Sequence, residues 1–505
     1  MRAFIHEISG PGTPEALVDR LQAQPGTVLL RSALSGPGHG RYSFVAARPF
    51  LTFRARGSRC ELWSGGQCHV QYGDPWRLLA GLLARYELLD ELDLPFPLRG
   101  CFGYWGYDLK NFLEPHLPRR AQADVDLPDC HLGFHDSLVV FDHLLDTAWI
   151  VATGLEPDGS RSASQLRQQL GFWQAHLEAA GAEDEAEPGA CRVPTPPVCP
   201  SEDRPAAWPG QDRRRVTSNF SRASFLDAVA RAQRYIRAGD IYQVNLAQRL
   251  AASCPMGGWS LFQRLAAVSP APYAAWLDGG DFQLVSSSPE LFLRLSGAQI
   301  VTRPIKGTRP RSSDADRDAQ LSYELQTSAK EMAELVMITD LLRNDLGRVC
   351  EYGSVRVPEL VRLERFAHVQ HLVSTVEGRL RGGLTHLDAL AACFPGGSIT
   401  GAPKIRAMEI IDELEPTARG PYTGCLGYLG FNRESQLSIL IRTALCATGT
   451  AWFHVGAGIV ADSVAEAEYE ETLTKAGGFL AALGVGTQAV ESDTRPRFAA
   501  SVVSA

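Results

Sequence analysis

One segment near the middle of the chain cannot contribute to a packed core. Residues 182–219 are rich in proline, in acidic residues and, toward the end, in arginine. A stretch of this composition buries too little apolar surface to order itself, so it predicts a linker or a long insertion. It separates an N-terminal region, 1–181, from a C-terminal region, 220–486, and residues 487–505 are expected to form a loose tail.

The order of the remaining segments points to an α+β fold. Before the linker, TVLLRSAL and DSLVVFDHLLDTAWIVAT carry short apolar runs rich in branched residues, which indicate strands. After it, helical periodicity at about 224–238, 329–346 and 463–483 is interspersed with alternating segments such as IYQVNLAQRL. Regular βαβ repeats are absent from this order, so we expect antiparallel sheets with helices against them.

Composition and charge exclude several classes of protein. Hydrophobic residues make up 45% of the chain and charged residues 21%, which is typical of a globular protein. The net charge of −8 is spread without long runs of one sign, so neither nucleic acid nor a membrane surface is an expected partner. The N-terminus lacks the pattern of a signal peptide, and the eleven cysteines contain no C-x-x-C pair, so we expect reduced thiols and a cytoplasmic location.

Two predicted helices each carry a pair of glutamates on one face. Glu331 and Glu334 are three residues apart in the first helix, and Glu468 and Glu471 have the same spacing in the second. If the pairs face each other, the four carboxylates would repel unless a hard divalent cation such as Mg²⁺ lay between them. The alternative is that both glutamate pairs lie on solvated helix faces, and the spacing alone does not decide between a metal site and solvated faces.

Other residues suggest a site without defining its chemistry. Glu290 follows a strand, and Lys306 lies in an irregular turn between Pro304 and Gly307, where loops on rigid scaffolds often carry function. The loop FPGGSITGAPK offers backbone N–H groups ahead of a helix, which suits an anionic ligand. Ala402 stands where a nucleotide-binding loop requires lysine, so nucleotide hydrolysis is excluded.

Six motifs together carry a resemblance to a known family. PIKGT, DLLRND, HLVST, PGGSITGAPK, GAGIVADS and EAEYEET closely resemble the motifs of the chorismate-utilising enzymes, most densely between residues 225 and 483. The resemblance implies a sandwich of two antiparallel sheets surrounded by helices, with chorismate and Mg²⁺ in a central cleft. It assigns the Mg²⁺ site to the four glutamates. It also assigns chorismate contacts to six further residues, three through side chains and three through backbone: Tyr422, Arg442, Lys475, Thr400, Gly401 and Gly458.

Differences within the family bear on the product. Gln243 stands where isochorismate-forming members carry a lysine that activates water, and Lys306 stands where anthranilate-forming members usually have alanine. The resemblance therefore favours amination at C4, giving 4-amino-4-deoxychorismate, with Lys306 as nucleophile and Glu290 as general acid. His371 matches a cleft histidine whose role as acid, base or electrostatic stabiliser stays open. The alternatives are anthranilate formation and a non-catalytic anion-binding module.

The resemblance also implies partners. The chain contains nothing similar to a glutamine amidotransferase, so ammonia is expected from a separate glutaminase subunit or from solution. The segments LLRS and SPAPY resemble the two halves of a tryptophan pocket found in several relatives, which assigns Ser32, Pro270 and Tyr273 to that pocket. Arg31 occupies a position that is usually acidic in anthranilate synthases. Bound tryptophan could be structural or inhibitory.

Overall fold

The computed structural model of the chain describes residues 3–10, 12–22, 24–32, 40–88, 94–184, 216–366, 369–486 and 490–492. Its strands are β1 (Phe4–Ser9), β2 (Val28–Arg31), β3 (Tyr42–Ala46), β4 (Leu51–Arg56), β5 (Arg59–Ser64), β6 (Gln67–Tyr72), β7 (Gly100–Trp105), β8 (Cys130–His135), β9 (Ser137–Asp142), β10 (Thr147–Ala152), β11 (Val216–Ser218), β12 (Gln243–Ser253), β13 (Tyr273–Asp278), β14 (Gln283–Ser288), β15 (Leu291–Ser296), β16 (Gln299–Arg303), β17 (Ile305–Pro310), β18 (Arg356–Arg365), β19 (Val369–Arg379), β20 (Gly401–Ala402), β21 (Cys425–Gly430), β22 (Glu434–Ile439), β23 (Thr443–Ala447), β24 (Thr450–Ile459) and β25 (Val490–Ser492).

The helices are α1 (Pro14–Leu21), α2 (Pro75–Tyr86), α3 (Lys110–Leu113), α4 (Ala163–Asp184), α5 (Arg222–Arg237), α6 (Gly257–Val268), α7 (Ala315–Thr327), α8 (Ala329–Gly347), α9 (His386–Cys393), α10 (Lys404–Leu414) and α11 (Ala465–Leu483). The three helices predicted after the linker are thus confirmed as α5, α8 and α11, within two residues at each end. No described helix is both long enough and apolar enough to cross a membrane.

The strands form two large sheets. The first has the order β1-β10-β9-β3-β2-β13-β14-β23-β24-β12-β11-β25, with β20 also paired to β12. The second has the order β17-β19-β16-β15-β22-β21-β7-β8-β4-β5-β6, with β18 also paired to β19. All pairs are antiparallel except β11 with β25, so the predicted α+β fold of two antiparallel sheets with helices is confirmed.

Both faces of the central strands are covered. One apolar cluster combines side chains from both sheets, including Phe44, Phe102, Leu284 and Tyr428, and fills the space between them. A second cluster joins the first sheet to α1, α4, α6 and α11, and a third joins the second sheet to α2, α8 and α9. Because β7, β8 and β9 are buried along their whole length, they show continuous apolar runs rather than alternation.

The two sequence regions share both sheets. Strands β1, β2, β3, β9 and β10 lie in the first sheet, whereas β4 to β8 lie in the second, and in each sheet they pair with C-terminal strands. For example, β2 pairs with β13, and β7 pairs with β21. The linker is therefore a boundary in the sequence between two regions whose strands interleave in space.

The structure differs from the expected boundaries of the unstructured segments. Helix α4 extends to Asp184, and β11 begins at Val216, while residues 185–215 lie outside the described part of the chain. The tail was expected to be loose from residue 487, but Val490–Ser492 pairs in parallel with β11. The physical reason is that β11 would otherwise be a sheet edge with unpaired N–H and C=O groups, which bind another strand readily.

Candidate active site

The two glutamate pairs lie on helices that face each other. Ser328 caps α8, its hydroxyl accepting a hydrogen bond from the backbone N–H of Glu331 at 3.4 Å. Burial raises the pKa of Glu334, and the charges of Glu331 on the same helix and Glu471 on α11 raise it further. Burial and Glu471 likewise raise the pKa of Glu468. The carboxylates of α8 and α11 therefore act on each other across the gap between the helices.

Cations lie beside three of these carboxylates. Arg309 contacts Glu331 at 3.6 Å, Lys330 contacts Glu468 at 3.8 Å, and Lys475 contacts Glu471 at 2.7 Å. In the part of the chain that the structure describes, no three His, Cys, Asp or Glu side chains converge closely enough to hold a metal ion. The donor set still fits a hard divalent cation, because burial and neighbouring carboxylates raise the pKa values of Glu334 and Glu468, and a cation between the helices would relieve this repulsion.

Glu290 and Lys306, predicted as general acid and nucleophile, lie close together. Glu290 immediately precedes β15 and is only 6% exposed. Burial raises its pKa to about 7, and this rise is opposed by hydrogen bonds from Ser398 and the backbone of Ile305 and by the charge of Lys306. Such a carboxyl keeps its proton near neutral pH, which is what a general acid requires.

Lys306 lies on β17, next to a bulge that the neighbouring glycine allows. The register of β17 against β19 shifts between Lys306 and Thr308, and Gly307 between them has φ of 66°. A Cβ on Gly307 would lie 3.1 Å from a carboxylate oxygen of Glu331, so glycine lets this turn approach the glutamates. The ammonium of Lys306 donates to the backbone carbonyl of Ser398 at 3.4 Å. Its charge lowers the pKa values of both Glu290 and Glu334, so Lys306 links the acid to the glutamate cluster.

His371 lies on β19, opposite Thr308 of β17. Its Nδ1 is 2.9 Å from the Thr308 hydroxyl, and the side chain is 2% exposed. Burial lowers its pKa to about 4, with the positive charge of Arg442 as the next contribution. The imidazole is therefore neutral at physiological pH, and His371 lies close enough to Arg442 to feel its charge.

Arg442 is a half-buried cation that has no counter-ion among the described residues. Burial lowers its pKa, and it makes no ion pair with any carboxylate in the described ranges. A desolvated guanidinium of this kind favours an anionic ligand that binds through two parallel hydrogen bonds.

The backbone groups assigned to chorismate lie where β12, β20 and β24 meet. Gly401 pairs with Val244, and Gly458 pairs with Asn245. The carbonyl of Thr400 accepts from the N–H of Asn245 at 2.9 Å, which fixes the loop before β20. Gly401 has φ of 143°, and a Cβ there would lie 2.2 Å from the Gln243 carbonyl, so this approach requires glycine.

Gln243 and Lys475 each lie close to a glycine of β24. The Oε1 of Gln243 is buried without a hydrogen-bond partner in the described structure, and its Nε2 would be 2.4 Å from a Cβ on Gly458. Lys475 of α11 donates to the carbonyl of Gly456 at 2.9 Å. A Cβ on Gly456 would also lie 2.9 Å from the Tyr422 hydroxyl, so Tyr422 and Lys475 approach the same point of β24.

A separate cavity of about 680 Å³ lies between the two sheets. Ser32 and Tyr273, assigned to the tryptophan pocket, are both on its wall, whereas Pro270 is not among its lining residues and Pro272 is. Arg31 also lines it and pairs with Glu15 at 2.6 Å. Binding of tryptophan here stays a prediction.

Sequence reasoning missed the residues that support Tyr422. Arg419 and Glu415 form a buried ion pair at 2.6 Å in the turn after α10. His454 of β24 stacks on the Tyr422 ring, and Ser398 contacts both Glu290 and Lys306. The sequence signal that could have identified this ion pair is the spacing of Glu415 and Arg419, which are four residues apart in ELEPTARG, between a helix and a strand.

The sandwich and its cleft of carboxylates, cations and glycine-rich backbone define an enzyme that binds an anionic small molecule. The family of chorismate binding enzymes matches residues 35–481, so this chain belongs to that family. Anthranilate synthase component 1 of Thermus thermophilus is 41% identical over 95% of this chain and 97% of its own length. Aminodeoxychorismate synthase component 1 of Klebsiella aerogenes is 40% identical over 92% of this chain and 95% of its own length.

A solved structure shows the same fold. Anthranilate synthase component I from Streptococcus pneumoniae superposes with a TM-score of 0.71 at 30% identity, covering 88% of this chain and 93% of the other. The chain is therefore a chorismate-utilising enzyme of the anthranilate synthase fold, and its relatives divide between two products.

Proposed function

We propose that this chain is the synthase subunit that converts chorismate and ammonia to 4-amino-4-deoxychorismate, on the route to para-aminobenzoate and folate. The observation that carries the proposal is the pairing of Lys306 with Glu290. The positive charge that Lys306 carries when protonated is close enough to lower the pKa of Glu290, and that carboxyl has a pKa of about 7. An amine nucleophile beside a protonated acid suits displacement of a hydroxyl group.

The proposed reaction balances in two displacements. The neutral amine of Lys306 attacks C2 of chorismate, the two ring double bonds shift, and the C4 hydroxyl leaves as water with a proton from Glu290. Ammonia then attacks C4, the double bonds shift back, and the C2–N bond to Lys306 breaks. The new C4 ammonium returns a proton to Glu290, so both side chains are regenerated. The net reaction is chorismate plus ammonia giving 4-amino-4-deoxychorismate plus water.

The remaining residues are proposed to hold the substrate. Chorismate carries two carboxylates, and Arg442 supplies for one of them a half-buried cation that has no counter-ion among the described residues. Tyr422 and Lys475 both approach Gly456 of β24, and the backbone of Thr400, Gly401 and Gly458 lies where β12 meets β20 and β24. Glu331, Glu334, Glu468 and Glu471 would hold Mg²⁺, which neutralises the second substrate carboxylate when bound.

Anthranilate formation is the second candidate, because the Thermus thermophilus relative, which is 41% identical to this chain, is named anthranilate synthase component 1. In that reaction ammonia would enter at C2 directly, without a covalent lysine. The two proposals differ in the position of the new amino group, so product analysis separates them.

The deciding experiment combines purified chain with chorismate, Mg²⁺ and ammonium chloride. The product is analysed by mass spectrometry and by conversion with an aminodeoxychorismate lyase, which gives para-aminobenzoate only from the 4-amino isomer. Formation of anthranilate instead would overturn the proposed product, and a reaction without ammonium serves as the control.

Turnover is expected to require Mg²⁺, because the glutamate pairs are the proposed metal ligands. Excess chelator should abolish turnover, and added Mg²⁺ should restore it. The Glu468→Gln variant removes one anionic ligand and should raise the Mg²⁺ concentration needed for half-maximal rate by about tenfold or more. Its thermal stability should change little, because the substitution also relieves carboxylate repulsion. Glu466→Gln, exposed on the same helix, is the matched control. Undiminished turnover in excess chelator would contradict the proposal.

The isolated chain is expected to use ammonium but not glutamine. Both relatives described above are named component 1 of their synthases, which supports a second component that supplies ammonia. Rates with glutamine should be at background until a cognate glutaminase subunit is added, and should then rise with its concentration to saturation. Efficient use of glutamine by the pure chain alone would count against a separate glutaminase.

A further inference from the structure

Tyr422 belongs to a column of flat side chains that reaches well beyond the proposed substrate site. The guanidinium of Arg419 lies 4.9 Å from the ring centroid of Tyr107 and 5.5 Å from that of Tyr422. The imidazole of His454 stacks on Tyr422, with centroids 4.9 Å apart and planes inclined by only 12°. Two planar groups, one cationic and one neutral, therefore contact the Tyr422 ring.

The Arg419 end of the column is held by many polar contacts. Its guanidinium pairs with Glu415 at 2.6 Å, and both side chains are almost fully buried. It also donates to the carbonyls of Ile399 at 3.1 Å and Asn245 at 2.7 Å. These carbonyls belong to the loop before β20 and to β12, so Arg419 is fixed relative to the backbone proposed to contact chorismate.

The His454 end has fewer polar contacts within the described residues. Its Nε2 is buried and has no hydrogen-bond partner in the described residues. The ring lines a small cavity of about 80 Å³ that also touches Tyr422. Burial lowers the pKa of His454 well below its ordinary value, and the charges of Arg249 and Arg419 lower it further. A neutral ring whose Nε2 has no partner contributes here mainly through its shape and its stacking.

We propose that His454 is a positioning residue, whose stack on Tyr422 sets the plane of that ring and so the position of its hydroxyl beside β24. The hydroxyl already lies close to Gly456, two residues along β24 from His454. The inference rests on the proposed function, in which Tyr422 contacts chorismate. A side chain at 454 that cannot stack leaves the Tyr422 ring free to tilt toward the cavity.

The test compares three substitutions at residue 454. His454→Ala and His454→Leu remove the stack, and both should raise the KM for chorismate about fivefold, with kcat and the KM for ammonium within about twofold of the parent. His454→Phe keeps a flat ring and should restore the KM for chorismate to within about twofold. Melting temperatures are measured for every variant. If His454→Ala fails to fold, His454→Leu, which leaves a smaller cavity, provides the test instead. Parental KM values in the Ala and Leu variants, or an equal rise in the Phe variant, would overturn the inference.

A double-mutant cycle separates this inference from the proposed function. In a Tyr422→Ala background, His454→Ala should cause no further rise in the KM for chorismate, because the ring that it positions is gone. Additive effects of the two substitutions would mean that His454 acts elsewhere and would overturn the positioning role. If Tyr422→Ala itself leaves the KM for chorismate unchanged, the proposed substrate contact is what fails.

Discussion

Replacing Lys306 with alanine is expected to slow formation of 4-amino-4-deoxychorismate on the order of a thousandfold or more, because the proposed nucleophile is lost. The proposed general acid, Glu290, is retained in this variant. The charge of Lys306 lowers the pKa of Glu290, so the variant should keep Glu290 protonated to a higher pH than the parent does. The affinities for Mg²⁺ and chorismate should change little, because their proposed contacts are Glu, Tyr and Arg groups on other elements.

Lys306→Arg is the matched control for charge. Arginine keeps a cation beside Glu290, but its guanidinium is not a nucleophile at neutral pH, so this variant should be as slow as Lys306→Ala. With C2 open to ammonia, either variant could release the 2-amino isomer that leads toward anthranilate. Both products are quantified by chromatography and mass spectrometry against the parent. An unchanged rate of the 4-amino product would mean that Lys306 only shapes the pocket, and the covalent mechanism would have to be abandoned.

Replacing Glu290 with glutamine is expected to reduce kcat by about a hundredfold or more, because glutamine cannot protonate the departing hydroxyl. The pH profile makes the test specific. The acid must be protonated, and its pKa is about 7, so the kcat of the parent should fall as pH rises above about 7. Glu290→Gln should lack this alkaline fall. A parental kcat in the variant, or the same alkaline fall, would remove Glu290 from the acid role.

The same substitution should make the protein more stable at high pH. The folded state raises the pKa of Glu290 from 4.5 to about 7, so it binds this proton more tightly than the unfolded chain does. Stability is therefore lost as pH rises from about 4.5 to about 7, and the full penalty, up to about 3 kcal/mol, applies above that range. Glutamine does not ionise, so the melting temperature of Glu290→Gln should exceed that of the parent at pH 8. The difference should shrink toward pH 5.

Local sequence patterns predicted the helices and strands that carry many of the proposed site residues. The spacing of Glu331 with Glu334 and of Glu468 with Glu471 placed each pair on one helix face, and α8 and α11 are those helices. Alternation predicted β12, which begins at Gln243. Periodicity depends on neighbours within a few residues, and the sequence contains that information directly. The resemblance in six motifs added the family, which the comparisons confirm.

The pairing of the strands could not be predicted in the same way. The sequence indicated strands in the N-terminal region but did not specify their partners: these strands divide between two sheets, with β2 beside β13 and β7 beside β21. These partners are hundreds of residues apart along the chain, and the alternation of a strand does not specify which other strand completes its hydrogen bonds. The short pairing of β25 with β11 was missed for the same reason.

The sequence by itself determined the family, the helices with their glutamate pairs, and the residue types available for acid, amine and anion binding. Only the tertiary structure decided that Glu290 is buried beside Lys306, that Arg442 has no counter-ion in the described chain, and that His454 stacks on Tyr422. The physical reason is that a pKa depends on desolvation and on nearby charges, and a ring's orientation depends on its packing. Both are set by residues from distant parts of the chain, which come together only when the two sheets close on each other.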